Sequence, residues 1–108
     1  VRDILYARDL CEAFDAFYRQ RRSGIYNIGG GVQTSVSLIE CIELLKKIIG
    51  KEPKVNFYPE RKGDLRYFVC DTTKAKRELG WSAKTLPAEG IKRLVVWVKE
   101  NINLFKAK

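Results

Sequence analysis

The sequence contains no histidine and no methionine among its 108 residues. Without imidazole there is no histidine general base and no His-ligated metal to consider. No apolar run reaches the ~18 residues that a membrane-spanning helix needs, and no basic-then-apolar leader opens the chain. Cysteine is scarce: Cys11, Cys41 and Cys70 are the three, too far apart for a paired metal-ligand motif. A zinc site would need a carboxylate to complete it, so no metal is expected. An odd thiol count without a leader fits reduced cysteines in a cytoplasm. Cys11 and Cys41 fall on helical patterns and are expected to fill small spaces in the core. No repeat, low-complexity segment or linker-like stretch interrupts the chain.

What is present is an ordinary globular mixture, 45% hydrophobic and 31% charged, which argues against a disordered chain. The length allows one domain with a thin core. Lys and Arg outnumber Asp and Glu by 21 to 13, a formal charge of +8. That surplus raises nucleic acid as a partner. The basic residues are spread along every helical segment, however, and no RNA-binding sheet motif or paired-cysteine finger appears. Nucleic acid is therefore not expected to be the main partner.

Patterning predicts an α/β order of short strands alternating with helices. Val1–Ala7 reads as a strand, and Asp9 as the N-cap of a helix carrying Leu10, Ala13, Phe14, Phe17 and Tyr18 inward. Ser23-Gly24 should stop that helix, and Ile25–Ile28 should form a second strand before the Gly29-Gly30-Gly31 turn. Ser37-Leu38-Ile39-Glu40 has the spacing of a capping box. It opens a helix with an apolar stripe at Leu38, Ile42, Leu45 and Ile49, ended by Gly50. Lys54–Tyr58 and Tyr67–Cys70 read as further extended runs. Asp71 is predicted to cap a short helix that Gly80 stops, and Thr85 a last helix with Pro87 in its first turn. Ile91, Leu94, Val95 and Val98 carry its apolar face.

Two short matches are set aside. Gly29-Gly30-Gly31 follows a strand pattern, as a dinucleotide-binding loop would, but Thr34 stands where the third glycine belongs. No carboxylate follows at the spacing that a ribose requires. Tyr58 and Lys62 have the Tyr-x-x-x-Lys spacing of short-chain dehydrogenases, a pairing that works on one face of a helix. Pro59 pushes Tyr58 away from helical angles. Both read as accidental.

The residues able to carry chemistry are Arg2 in the first strand and the turn Arg61-Lys62-Gly63-Asp64-Leu65-Arg66. Arginine offers a rigid fork of donors to phosphate oxygens, and glycine lets a ligand approach the backbone. A carboxylate three residues on could accept from vicinal ribose hydroxyls. On spacing alone, a solvated charged turn with surface salt bridges explains these residues better than a nucleoside-diphosphate site does.

A resemblance adds to this reading. Val-Arg-Asp-Ile-Leu-Tyr-Ala-Arg-Asp-Leu at the start, then Ile-Tyr-Asn-Ile-Gly-Gly-Gly with Ser35 and Glu40 behind it, resembles the C-terminal part of extended short-chain dehydrogenases. Arg61-Lys62-Gly63-Asp64, Asp71, Lys74-Ala75, Glu78-Leu79-Gly80-Trp81, Glu89-Gly90 and Trp97 continue the match in order. These are the NAD-dependent nucleotide-sugar epimerases and dehydratases, and the CDP-tyvelose (CDP-paratose 2-epimerase) branch looks most similar. The features that favour that branch are the opening, Ser37-Leu38 and Gly63-Asp64-x-Arg66.

The resemblance implies a Rossmann-type α/β parent in which residues 1–108 form the C-terminal, substrate-binding part, with the N-terminal NAD-binding domain absent. It implies that Arg2 and Arg61 grip the pyrophosphate of a CDP- or UDP-linked sugar and that Asp64 takes the ribose hydroxyls. Arg66 either reaches the phosphates or pairs with Asp64 or Glu60. The family reaction is epimerisation by transient oxidation on NAD; related 4-epimerases, dehydratases and decarboxylases share the same landmarks. No catalytic or cofactor-binding residue is assigned to this chain, so by itself it is expected to be inactive. The parent is expected to be a homodimer.

Overall fold

The computed structural model describes residues 1–106. Four helices and a minimal sheet make up the described fold, in the order β1 (Arg2–Asp3), α1 (Ala7–Gln20), β2 (Ser35–Val36), α2 (Leu38–Ile49), α3 (Thr73–Leu79) and α4 (Pro87–Glu100). A 3-10 turn, Val32–Thr34, precedes β2, and another, Ile102–Phe105, follows α4. β1 and β2 pair antiparallel, Arg2 with Val36 and Asp3 with Ser35, and Arg2 also forms an isolated parallel bridge to Phe68. No helix among the described residues is long and apolar enough to cross a membrane.

The strand expectations are corrected most. Ile25–Ile28 and Lys54–Tyr58 form no strand, and the first strand shrinks to two residues. Their apolar residues have no neighbouring backbone to pair with; Ile25 is 87% exposed and Phe57 85%. A strand is stabilised only in a ladder, so an apolar run without a partner stays irregular.

The helices form as their apolar periodicity predicts, with shifted ends. Ser37 and Glu40 close the capping box in both directions, at 3.1 and 2.7 Å, and Gly50 and Gly80 end their helices in the left-handed region. α1 instead begins after Tyr6, two residues before Asp9, and ends at Arg21 with φ 56°. Arg21 takes this costly backbone with its guanidinium 5.0 Å from the Tyr18 ring. The N-caps of α3 and α4 are Thr72 and Leu86 rather than Asp71 and Thr85. Asp71 still serves the first turn, accepting from the Thr73 N–H at 3.0 Å.

The core is small: Ala13 of α1 meets Ala75 and Leu79 of α3 and Trp81 beyond it. Trp81 Nε1–H donates to the Asp9 carbonyl at 2.9 Å, which satisfies the indole inside the core. The Asp9 carboxylate is buried and accepts from the Lys84 and Thr85 N–H groups at 3.1 and 2.9 Å. It therefore ties α1 to the approach to α4, a tether rather than a cap. The predicted faces are only partly buried. Leu38 is 82% exposed, Phe14, Tyr18 and Leu94 are exposed, and Cys11 lies on the solvent side of α1 instead of in the core.

Candidate functional site

β1 is held at three points. Its Asp3 carboxylate accepts from the Gly31 N–H at 3.0 Å and the Cys70 N–H at 3.2 Å. The Ile4 N–H donates to the Thr34 carbonyl at 3.1 Å, and the Phe68 N–H to the Val1 carbonyl at 3.0 Å. The glycine turn makes this packing possible. A methyl group on Gly29 would stand 2.6 Å from Asp3 Oδ2, and one on Gly30 would run into Thr34 and the Ile4 carbonyl. The space beside these glycines is thus filled by the chain itself, and a short 3-10 turn follows them. They do not fit a dinucleotide phosphate, which needs open backbone at a helix N-terminus. Tyr58 and Lys62 lie in exposed, non-helical chain, so they share no helix face.

The anchored strand presents Arg2 to a cleft of about 450 Å³. One wall is β1, β2 and the start of α2, contributing Arg2, Ile4, Val36, Ser37, Leu38 and Cys41; the other is the turn with Glu60, Arg61, Asp64, Leu65 and Arg66. All four residues singled out in the sequence, Arg2, Arg61, Asp64 and Arg66, therefore line one cavity, although Arg2 and Arg61 are 59 positions apart (61 minus 2). Val1 N donates to the Arg66 carbonyl at 2.7 Å, which docks the turn beside β1. Gly63 sits at φ 88°, where a side chain would be strained, and the space around it is open.

Within the turn the charges pair. Arg61 Nε donates to Asp64 Oδ2 at 3.0 Å. Arg66 Nε and Nη2 donate to the two oxygens of Glu60 at 3.3 and 3.2 Å. Arg2 turns its Nη1 onto the Val1 carbonyl at 2.9 Å. The Arg61 and Arg66 side chains are 85% and 86% exposed. Exposed pairs contribute about 0–1 kcal/mol, so an incoming anion can take these donors at little cost. Ile4, Val36 and Leu38 beside Arg2, and Leu65 in the turn, add apolar lining to the same cleft.

Sequence reasoning missed Glu60 as a cleft residue, having it only as one possible partner for Arg66, and missed Cys41, which is half-buried at the cleft wall. Helical spacing could place Cys41 one turn after Ser37-Leu38, but not facing Arg61. Cys70 lies behind β1, where burial, then the charge and hydrogen bond of Asp3, push its thiol above the ordinary range.

The family model described as GDP-mannose 4,6 dehydratase matches residues 1–94, and the chain belongs to that family of extended, Rossmann-type short-chain dehydrogenases. UDP-glucuronate 4-epimerase of Thermodesulfobacterium geofontis is 36% identical over 98% of this chain and 32% of its own length. CDP-paratose 2-epimerase of Salmonella typhi is 31% identical over 90% of this chain and 30% of its own length. The crystal structure of UDP-glucose 4-epimerase from Bifidobacterium longum, in complex with NAD+ and UDP, superposes with a TM-score of 0.78 at 28% identity. It matches 88% of this chain and 29% of that one. The chain thus spans about a third of the length of these relatives.

Proposed function

We propose that this chain is the nucleotide-sugar-holding part of an NAD-dependent nucleotide-sugar epimerase. The observation that carries the reading is the convergence of Arg2, Arg61, Asp64 and Arg66 on one cleft that also has apolar lining. Arg2 and Arg61 would take the two phosphates, which suit planar bidentate donors. Asp64, released from Arg61, would accept from the vicinal ribose hydroxyls. Ile4, Val36 and Leu38 offer an apolar surface to the rest of the nucleotide.

The chain's contribution is to bind and orient the sugar; no catalytic residue is placed here, and the chain alone is expected to be inactive. NAD is proposed to be held by a separate N-terminal domain, since the one glycine-rich turn here is filled by its own chain. The surface supports a covering partner domain. It measures 9011 Å², against the roughly 6,200 Å² usual for a compact protein of this mass. Large apolar side chains stand exposed on it, Phe14, Tyr18, Ile25 and Phe57 among them.

The relatives named as UDP-sugar 4-epimerases favour UDP as the nucleotide. A second reading, 2-epimerisation of a CDP-linked sugar, is favoured by Gly63-Asp64-Leu65-Arg66 and by the Salmonella typhi relative. A titration of the isotope-labelled chain at low salt, following backbone amides, tests both. UDP or CDP should give saturable shifts confined to residues 1–4 and 60–66, with affinity near ~1 mM, about −4 kcal/mol. Arg61→Ala should weaken binding at least roughly tenfold, since a charge-assisted hydrogen bond contributes about 1.5–3 kcal/mol. Equal affinity in that variant would overturn the phosphate assignment. Diffuse shifts, stronger with a short DNA and steeply salt-dependent, would favour a basic nucleic-acid module instead.

A further inference from the structure

The cleft holds three arginines and two carboxylates: Arg2, Arg61 and Arg66 against Glu60 and Asp64. Asp64 and Arg61 form a single-bond pair inside the turn, one that a ligand with both phosphates and ribose hydroxyls would satisfy at both ends. The Glu60–Arg66 pair is different in kind. It uses two parallel hydrogen bonds, at 3.3 and 3.2 Å, and spans the whole turn from its first residue to its last. A fork-on-fork pair holds both partners in one geometry. Arg66 therefore rests with its charge offset by Glu60 in an exposed pair, Arg61 shares one bond with Asp64, and Arg2 is bonded to no carboxylate among the described residues.

We propose that Glu60 is a specificity-determining residue that sets the charge of the cleft to suit a diphosphate esterified at both ends and disfavours a free terminal phosphate. The proposal rests on the nucleoside-diphosphate reading above. A diphosphate diester carries two negative charges, which Arg2 and Arg61 would face once Asp64 turns from Arg61 to the ribose hydroxyls. A free nucleoside diphosphate carries about one more at neutral pH. That additional charge would meet the Glu60 carboxylate, which offsets Arg66 beside it. A nucleotide-sugar epimerase gains from this discrimination, because free nucleotides share its substrate's base, ribose and diphosphate.

The test compares UDP with UDP-glucose on the wild-type chain, Glu60→Gln and Arg66→Gln, by amide-shift titration at two salt concentrations. Glu60→Gln frees Arg66 and adds one positive charge to the cleft. It should tighten UDP by about tenfold and UDP-glucose by less than about threefold, with the difference shrinking in salt, as expected for one added charge contact in a half-solvated site. Arg66→Gln leaves Glu60 unpaired and should move the ratio the other way, against UDP. Unchanged amide positions in α1 and α3 would show that each variant keeps its fold. An unchanged UDP to UDP-glucose ratio in both variants would overturn the charge-setting role and leave the nucleotide site standing. Absence of localised shifts with either ligand on the wild type would overturn the nucleotide site, and the role of Glu60 with it.

Discussion

Asp9 offers the sharpest test of how the fold is held. Its carboxylate oxygen Oδ2 accepts from two backbone N–H groups, Lys84 at 3.1 Å and Thr85 at 2.9 Å, and the residue is only 4% exposed. Asp9→Ala leaves both donors without a partner where water enters poorly. Each unmet donor costs about 1–3 kcal/mol, and because the two N–H groups are partly buried we take the lower half, roughly 2–4 kcal/mol together. A chain of this size is expected to have a total stability of only about 5–15 kcal/mol. The melting temperature should fall by roughly 8–30 °C, at about 4–8 °C per kcal/mol. Asp9→Asn keeps an acceptor of the same shape and should lose less than half as much. Thermal unfolding of the three chains, followed by far-ultraviolet circular dichroism, reads this directly. An Asp9→Ala chain that melts within about 2 °C of the wild type would mean the tether is incidental, since surface substitutions away from such contacts change stability by about 0.5 kcal/mol or less.

Two further outcomes follow from the backbone and from the thiols. Gly80 sits at φ 66° with nothing within 4 Å of a Cβ placed there; Gly80→Val should therefore cost about 1–2 kcal/mol through backbone strain alone, and an unchanged melting temperature would show that α3 ends by another route. Burial first, then the charge and hydrogen bond of Asp3, raise the Cys70 thiol above its unfolded value. Its contribution to stability is full below the ordinary thiol range and is lost as the pH rises through that range toward the folded value. Native Cys70 should be alkylated more slowly than exposed Cys11 at about pH 8.5, with peptide mass spectrometry reading each site; equal rates would refute the assignment.

What could be read from the sequence was whatever is decided within one or two turns. The capping box at Ser37 and Glu40 and the stops at Gly50 and Gly80 are local chemistry, and they form as read. Ile25–Ile28 and Lys54–Tyr58 failed as strands because an apolar run reports a wish for burial, not the presence of a ladder partner; neither is paired in a sheet. Asp9 looked like a cap because an aspartate before an apolar helical run usually is one. Its partners lie 75 and 76 residues away, a pairing that no local pattern contains. In the cleft, spacing alone favoured a solvated turn over a nucleotide site for Arg2, Arg61, Asp64 and Arg66. The resemblance marked them as a set, and the fold brought them to one cavity. Glu60 had no such signal, because its role depends on a turn closing back on itself.

The two walls of the cleft have different mechanical character, and this bears on affinity. Arg2 is carried by a strand tied through Asp3 to Gly31 and Cys70, segments 28 and 67 residues away. The facing turn is exposed throughout residues 59–66 and is held to β1 through the Val1 to Arg66 hydrogen bond. Fixing a free arginine side chain costs up to about 2 kcal/mol, nearly what one charge-assisted hydrogen bond returns, about 1.5–3 kcal/mol. A turn with loose arginines would therefore gain almost nothing from meeting a phosphate. The Arg61–Asp64 and Arg66–Glu60 pairs reduce that cost before any ligand arrives, by confining each guanidinium near the cleft through contacts weak enough to exchange. Such pairs add little to the stability of the fold and still favour binding, because what they supply is order on the soft wall of the site.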